Sequence, residues 1–157
     1  MSPVALAVAL VAAQRLGELL LAQRNTRRLR AAGAVEHGRG HYPLIVLLHV
    51  SWLATLPFVV PADRWPDAAL AGAYLAVQAV RLWVIATLGG RWTTRVLVMP
   101  HEVPVSRGPY RCCRHPNYAV VALEIPLLPL AFGAVAHAVL FGLANLALLA
   151  WRIRVED

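Results

Sequence analysis

The chain has 157 residues, of which 59% are hydrophobic, and a mean hydropathy of +0.60, so it is expected to be an integral membrane protein rather than a soluble domain. Its formal net charge of +7 is carried by arginine alone, because the sequence has no lysine. The arginines lie between apolar runs, where anionic lipid headgroups and the orientation of membrane helices account for them, so no nucleic-acid partner is expected.

Five apolar runs reach or approach the ~20 residues that a helix needs to cross a bilayer. They predict an all-α protein of one domain over residues 1–157, with five transmembrane helices at 3–22, 42–61, 68–88, 118–132 and 134–151. Arginines are frequent in three segments, at 24–39, 91–114 and 152–154. By the positive-inside rule, the N-terminus is expected outside, and the arginine-rich loops and the C-terminus are expected in the cytoplasm.

Charged residues inside the apolar runs are costly and are therefore candidates for function. Arg15 and Glu18 are three residues apart and can pair on one face of the first helix. A structural ion pair and a functional site are equally compatible with this spacing. Arg81 lies near the end of the third span, from which its side chain is expected to reach the membrane surface. The fourth span contains Glu124.

The longest polar interval is the loop at 89–117 between the third and fourth spans. It contains too many apolar residues for a disordered segment, so it is expected to form a structured, cationic cap on the membrane domain. Its cysteines, Cys112 and Cys113, are adjacent and are expected to be reduced, since neighbouring cysteines bridge only with strain. No metal is expected, because no Cys-x-x-Cys spacing accompanies His101 and His115.

The segment Arg114-His115-Pro116-Asn117-Tyr118 opens the fourth helix. Proline suits a first helical turn, and the free N–H groups that follow it can meet an anionic or carboxylate ligand. His115 and Tyr118 are three residues apart and can line one wall of a pocket.

On the last helix, Asn145, Arg152 and Glu156 are expected on one face, because their spacings suit a repeat of about 100° per residue. The spacing of Arg152 and Glu156 is equally compatible with a simple ion pair that has no function. Physical reasoning alone predicts a polar ligand site that caps a five-helix bundle.

These residues resemble the isoprenylcysteine carboxyl methyltransferase family of membrane enzymes, which use S-adenosylmethionine. The resemblance rests on Gly108-Pro109-Tyr110, on the segment 114–118, and on Arg152 and Glu156 after the last span, and it covers Leu88 to Glu156. Residues 33–36 and 41–43 are similar to the short bacterial branch of the family. Some members of that branch are associated with type III polyketide synthases and methylate long-chain alkylpyrones.

The resemblance implies a cofactor site for S-adenosylmethionine in the cytoplasmic loop and the helices beside it, including a strand-like segment near 103–105. It implies catalytic roles for Arg152 and Glu156, with acceptor binding by Arg152. Asn145, on the same helical stripe, is also expected to bind the acceptor. The acceptor is expected to be lipophilic, such as an alkylpyrone or a prenylcysteine, and to arrive through the lipids of a bacterial cytoplasmic membrane. The expected cofactor-binding residues are His101, Val103, Pro104, Val105, Tyr110, His115, Pro116, Asn117, Tyr118 and Glu156.

Three other functions fit part of this pattern. A phospholipid N-methyltransferase would use the same cofactor with a different acceptor. Sterol reductases carry a similar His-Pro-x-Tyr segment and bind a nicotinamide cofactor, but they are usually much larger. A non-catalytic membrane scaffold would bind no ligand in the basic loop. Binding of S-adenosylmethionine or NADPH would separate these classes.

Overall fold

The computed structural model describes residues 1–156 and consists mainly of helices. Two short 3-10 helices, Gly89–Arg91 and Gly108–Arg111, lie in the loop before the fourth long helix. The other elements, in chain order, are α1 (Pro3–Ala31), β1 (Val35–His37), α2 (Tyr42–Val59), α3 (Ala68–Leu88), β2 (Val96–Val98), α4 (Pro116–Ala131) and α5 (Val135–Glu156).

Four of the helices, α1, α2, α3 and α5, are long and apolar enough to cross a membrane. The protein is therefore an all-α, multi-pass integral membrane protein. Helix α4 has 16 residues and is about 24 Å long, which is less than the ~30 Å of a hydrocarbon core. The fifth span and the orientation of the loops stay predictions.

Helix α1 differs from its prediction, because it continues to Ala31 instead of giving way to a loop after residue 22. Arginine is a good helix former, so the polar segment prolongs the helix beyond its apolar part. Two residues after the helix, the chain turns away at Gly33, whose φ of 102° suits a residue without a side chain. The Ala34 N–H then donates to the Leu29 carbonyl at 2.9 Å, which closes the helix end.

The strand-like segment expected near 103–105 is absent from the structure, which has no strand there. The loop instead contributes β2, which pairs antiparallel with β1 so that Glu36 lies opposite Leu97. A strand forms only where another strand can pair with it. The connection between α1 and α2 contains β1, which pairs with residues 96–98. Pro104 lacks the N–H that a strand pairing would use.

Helix α4 lies inside the bundle, with Ile125 and Glu124 fully buried. Pro129 cannot donate to the carbonyl of Ile125 four residues earlier. The indole Nε1 of Trp52 on α2 donates to that carbonyl at 2.9 Å. The proline thus creates an acceptor in the core, and Trp52 uses it to join α2 to α4.

A network of charged side chains, Arg15, Glu18, Arg81 and Glu124, joins α1, α3 and α4 inside the bundle. Arg81 donates to Glu18 at 2.6 Å and lies 3.4 Å from Glu124, and Arg15 donates to Glu124 at 2.7 Å. The Arg15–Glu18 pair predicted from the sequence is present at 3.2 Å. The prediction that Arg81 reaches the membrane surface is wrong, because two buried carboxylates hold it inside.

Candidate functional site

A cavity of about 680 Å³ lies between the loop after α3 and the ends of α4 and α5. This volume is within the ~300–1,000 Å³ typical of small-molecule pockets. Of the residues predicted to bind cofactor or acceptor, the cavity wall includes Pro104, Val105, Tyr110, His115, Asn117, Tyr118, Arg152 and Glu156.

The side of the cavity nearest the bundle is built from the start of α4 and the end of α5. His115 precedes the first turn of α4, so its ring stacks on Tyr118 with 5.2 Å between centroids. Arg152 Nε donates to the Tyr118 hydroxyl at 2.9 Å. One turn further on, Glu156 lies 3.4 Å from His115 Nδ1. Two separate sequence motifs therefore meet in one cluster.

Tyr110 reaches the cavity from the 3-10 helix Gly108–Arg111. Gly108 has a φ of 61°, and a Cβ there would lie 2.7 Å from Thr87 Oγ1 on α3, so only glycine allows this close packing. Burial raises the pKa of the Tyr110 phenol, and the negative charge of Glu156 raises it further. The phenol therefore stays protonated at neutral pH and can donate a hydrogen bond.

Asn117 supplies an acceptor without a protein partner. Its Oδ1 atom is buried and lacks a hydrogen-bond partner within residues 1–156, although the residue lines the cavity. A buried polar atom left in this state costs free energy unless a ligand or water meets it. Asn117 is therefore suited to accept an N–H from a bound molecule.

The cavity wall is rich in positive charge. It contains five arginines but only two carboxylates, Glu102 and Glu156, and Arg91 pairs with Glu102 at 3.2 Å. This balance favours an anionic group, with the carboxylates available to hydroxyl or ammonium donors. The five arginines are Arg91, Arg95, Arg111, Arg114 and Arg152.

Sequence reasoning missed the residues that fasten the loop to the helices. Asn25 on α1 donates to the backbone carbonyls of Gly89 at 3.1 Å and Trp92 at 2.8 Å. Trp92 is buried. Both Trp92 and Arg95 line the cavity. Two sequence features could have indicated this contact. Asn25 is an uncharged polar residue in an arginine-rich segment, and Trp92 is a large apolar residue in a polar loop.

Four predicted site residues are absent from the described cavity wall: His101, Val103, Pro116 and Asn145. His101 is exposed with a φ of 65°, and Val103 is 77% exposed. Pro116 is buried at the start of α4. Asn145 is buried in the bundle and donates to the Val121 carbonyl at 3.2 Å, so it joins α5 to α4.

Cys112 and Cys113 are both free, exposed and part of the cavity wall. Within residues 1–156, no group of three or more His, Cys, Asp or Glu side chains is arranged to hold a metal ion.

Comparison with known proteins gives two matches. The isoprenylcysteine carboxyl methyltransferase (ICMT) family matches residues 70–157, a stretch that includes most of α3, the cavity loop, α4 and α5. The chain is also 39% identical over 156 residues to an uncharacterized protein, YpbQ, of Bacillus subtilis (strain 168), with 97% of this chain and 93% of the relative covered. No solved structure matches the chain significantly.

Proposed function

Since this chain belongs to the isoprenylcysteine carboxyl methyltransferase family, and is thus a membrane methyltransferase, we propose that it uses S-adenosylmethionine to O-methylate a lipophilic acceptor. The acceptor carries a carboxylate or an enol or phenol oxygen, as an alkylpyrone or a prenylcysteine does. The observation that carries this proposal is the Arg152–Tyr118–His115–Glu156 cluster, which places a planar cation beside a carboxylate at the wall of one cavity.

The chemistry of the cavity wall fits the cofactor. S-adenosylmethionine has N–H and O–H donors on its amino, ribose and adenine groups, and a carboxylate. Asn117 Oδ1 is an acceptor in need of a donor, and Glu156 offers a second acceptor. The cationic wall suits the carboxylate, and Tyr118 and His115 offer aromatic faces to the adenine. When bound, this cofactor supplies an electrophilic methyl group on a sulfonium.

Arg152 is suited to hold the oxygen that receives the methyl group. Its Nε donates to Tyr118, which fixes the plane of the guanidinium, while the two terminal nitrogens have no protein hydrogen bond within residues 1–156. A guanidinium fixed in this way binds an oxyanion in a defined geometry. Arg152 thereby orients the acceptor for an in-line displacement, in which positioning and exclusion of water supply most of the rate.

Glu156 has a role that depends on the acceptor. A carboxylate acceptor is already ionised and needs no base. An enol or a phenol must lose a proton, and Glu156 is the carboxylate of the cluster that can take it. The cofactor contacts predicted for His101 and Val103, which lie outside the described cavity wall, stay predictions.

The acceptor enters from the lipid, because α5 continues from the membrane to the cavity without a break. Arg152 lies at the inner, buried side of that helix near its polar end. A hydrophobic tail can stay in the bilayer while its polar head reaches Arg152. The proposed setting is a bacterial cytoplasmic membrane, with the cavity open to the cytoplasm.

The test is transfer of a labelled methyl group to an alkylpyrone, a prenylcysteine and phosphatidylethanolamine in parallel. Methylation of either oxygen acceptor is expected, because the terminal nitrogens of Arg152 can donate to an oxyanion, whereas an ammonium group offers them no acceptor. Arg152→Lys is expected to weaken this transfer. Its matched control is Arg154→Lys, since Arg154 is exposed on α5 and lies outside the cavity wall of the described residues. If only the amine lipid is methylated, the protein is a phospholipid N-methyltransferase and the oxyanion proposal fails.

A further inference from the structure

A second, smaller cavity shares Arg95 with the cofactor cavity. It has a volume of about 190 Å³ and is formed by α1, the start of α2 and the residues before β2. We name it the arginine pocket. Its wall consists of Gln23, Thr26, Arg27, Arg30, Tyr42, Thr94 and Arg95.

The arginine pocket has the chemistry of an anion site. Three guanidinium groups and three hydroxyl groups meet there, and no carboxylate is part of the described wall. Arg27 forms no ion pair with any residue of the described chain. Guanidinium and hydroxyl donors together are the usual partners of phosphate oxygens.

The site is held in place before any ligand arrives. The Arg95 guanidinium lies 4.0 Å from the centroid of the Tyr42 ring and 2.8 Å from Glu36. The Tyr42 hydroxyl is 3.0 Å from Thr94 Oγ1. Glu36, which is not in the described pocket wall, also pairs with Arg30, so it fixes two of the arginines while offsetting one charge. An ordered, cationic site loses less entropy when it binds an anion.

The depth of the pocket indicates the source of the anion. The apolar part of α1 ends at Ala22, and the pocket begins at Gln23 and continues for two turns of the helix. About 20 residues bring a helix from one side of the hydrocarbon to the other, so this position is at the level of the lipid headgroups. The volume is below the ~300 Å³ at which pockets for drug-sized molecules begin.

We propose that the arginine pocket binds a phosphate group, and that its ligand is the headgroup of an anionic membrane lipid. This site is separate from methyl transfer, yet Arg95 lines both cavities. The two sites therefore share one guanidinium group.

The experiment titrates the purified full chain, in a non-ionic detergent, with fluorescent phosphatidic acid and with fluorescent phosphatidylcholine. Arg27→Gln is expected to weaken binding of phosphatidic acid about tenfold or more, the loss of a charge-assisted hydrogen bond. Arg24→Gln is the matched control: Arg24 is exposed on the same helix but is not in the pocket wall, and its replacement is expected to change binding less than about twofold.

Thr26→Val provides a second variant without a change of charge, and it is expected to weaken phosphatidic acid binding by a smaller factor. Both variants are first checked for an unchanged unfolding temperature. Inorganic phosphate is then added as a competitor. Displacement of the lipid would show that the pocket takes free phosphate as well, and no displacement would show that it requires a lipid.

The proposal is overturned if Arg24→Gln and Arg27→Gln weaken binding equally, since binding would then follow surface charge. It is also overturned if Arg27→Gln and Thr26→Val both bind phosphatidic acid as tightly as the unmodified chain, or if the phosphatidylcholine probe binds equally well.

Discussion

Arginine and glutamate occur together in two regions of this protein, and the two regions are arranged differently. Inside the bundle, Arg15 and Arg81 face Glu18 and Glu124, and each of the four charges has a partner of opposite sign. A charge buried between membrane helices is tolerable only when it is paired in this way. This network therefore stabilises the packing of α1, α3 and α4 against one another.

In the cavity proposed to bind the cofactor, polar side chains are left partly unpaired. Arg152 engages Tyr118 through one nitrogen only, and Asn117 Oδ1 has no partner within residues 1–156. The wall also has more arginines than carboxylates. The comparison teaches that the extent of pairing, more than the presence of charge, separates a structural cluster from a ligand site.

The largest expected effect comes from breaking the buried network. Glu124→Ala leaves Arg15 and Arg81 with one carboxylate between them, so it is expected to lower the free energy of unfolding by about 3–5 kcal/mol. Unfolding in detergent, followed by circular dichroism, measures this loss. Leu123→Ala is the control, because Leu123 is 54% exposed and lies beside Glu124 on the same helix.

Equal stability of Glu124→Ala and Leu123→Ala would show that the network does not hold the bundle together. The buried charges could then not be called structural, and the contrast with the cavity would be lost.

The next effect concerns Arg152. Arg152→Lys keeps the charge and loses the planar fork, so it is expected to raise the acceptor's KM by ~10- to 100-fold, a loss of about 1.5–3 kcal/mol. Cofactor affinity and the unfolding temperature are expected to stay near those of the unmodified chain. Steady-state methyl transfer measures the first quantity. If the variant changes cofactor affinity and leaves the acceptor's KM unchanged, Arg152 contacts the cofactor and not the acceptor.

Two asparagines provide a matched pair. Asn145→Ala removes the hydrogen bond to the Val121 carbonyl and is expected to cost about 1 kcal/mol of unfolding free energy, with cofactor binding unchanged. Asn117→Ala is expected to weaken cofactor binding about fivefold and to leave stability unchanged or slightly raised. If Asn145→Ala weakens binding and Asn117→Ala does not, Asn145 belongs to the ligand site, as the sequence predicted.

The smallest expected effect is a pH dependence at the junction of β1 and α2. Burial lowers the pKa of His41, and the positive charge of Arg152 lowers it further. The unfolded chain therefore takes up a proton more readily than the folded one, and stability falls as the pH drops below about 6.5. His41→Asn is expected to reduce this slope, whereas His37→Asn, at an exposed position, leaves it unchanged.

A second acid transition is expected at lower pH from Glu36. Burial alone would raise the pKa of this carboxyl, but the hydrogen bonds and charges of Arg95 and Arg30 outweigh it and hold the pKa below the usual range. Its stabilising effect is present above the ordinary pKa and is lost as the pH falls through the lowered one. Glu36→Gln removes this transition in a pH series of unfolding temperatures.

Much of the fold followed from local patterns. Helices α2 and α3 begin at Tyr42 and Ala68, as the apolar runs predicted, and Pro116 opens α4. The motifs around His115 and Arg152 also meet, as expected for a single site. These features depend on residues close together in the sequence, or on a family pattern.

The features that sequence reasoning missed depend on distant partners. Arg81 pairs with Glu18 across 63 residues, and nothing near Arg81 shows that a carboxylate will face it. The strand lies at 96–98 rather than 103–105 because β1 lies opposite that segment. Asn145 has the spacing of a site residue, but its carbonyl partner on α4 can be found only in three dimensions.

The central claim is that the cavity around Asn117 and Glu156 binds S-adenosylmethionine, whereas the buried network binds nothing. Calorimetric titration of the purified full chain with S-adenosylmethionine, S-adenosylhomocysteine and NADPH tests it most directly. We expect the two adenosyl compounds to bind at one site, Asn117→Ala to weaken the binding of both, and NADPH not to bind. Binding of NADPH, or of no compound at all, would contradict it.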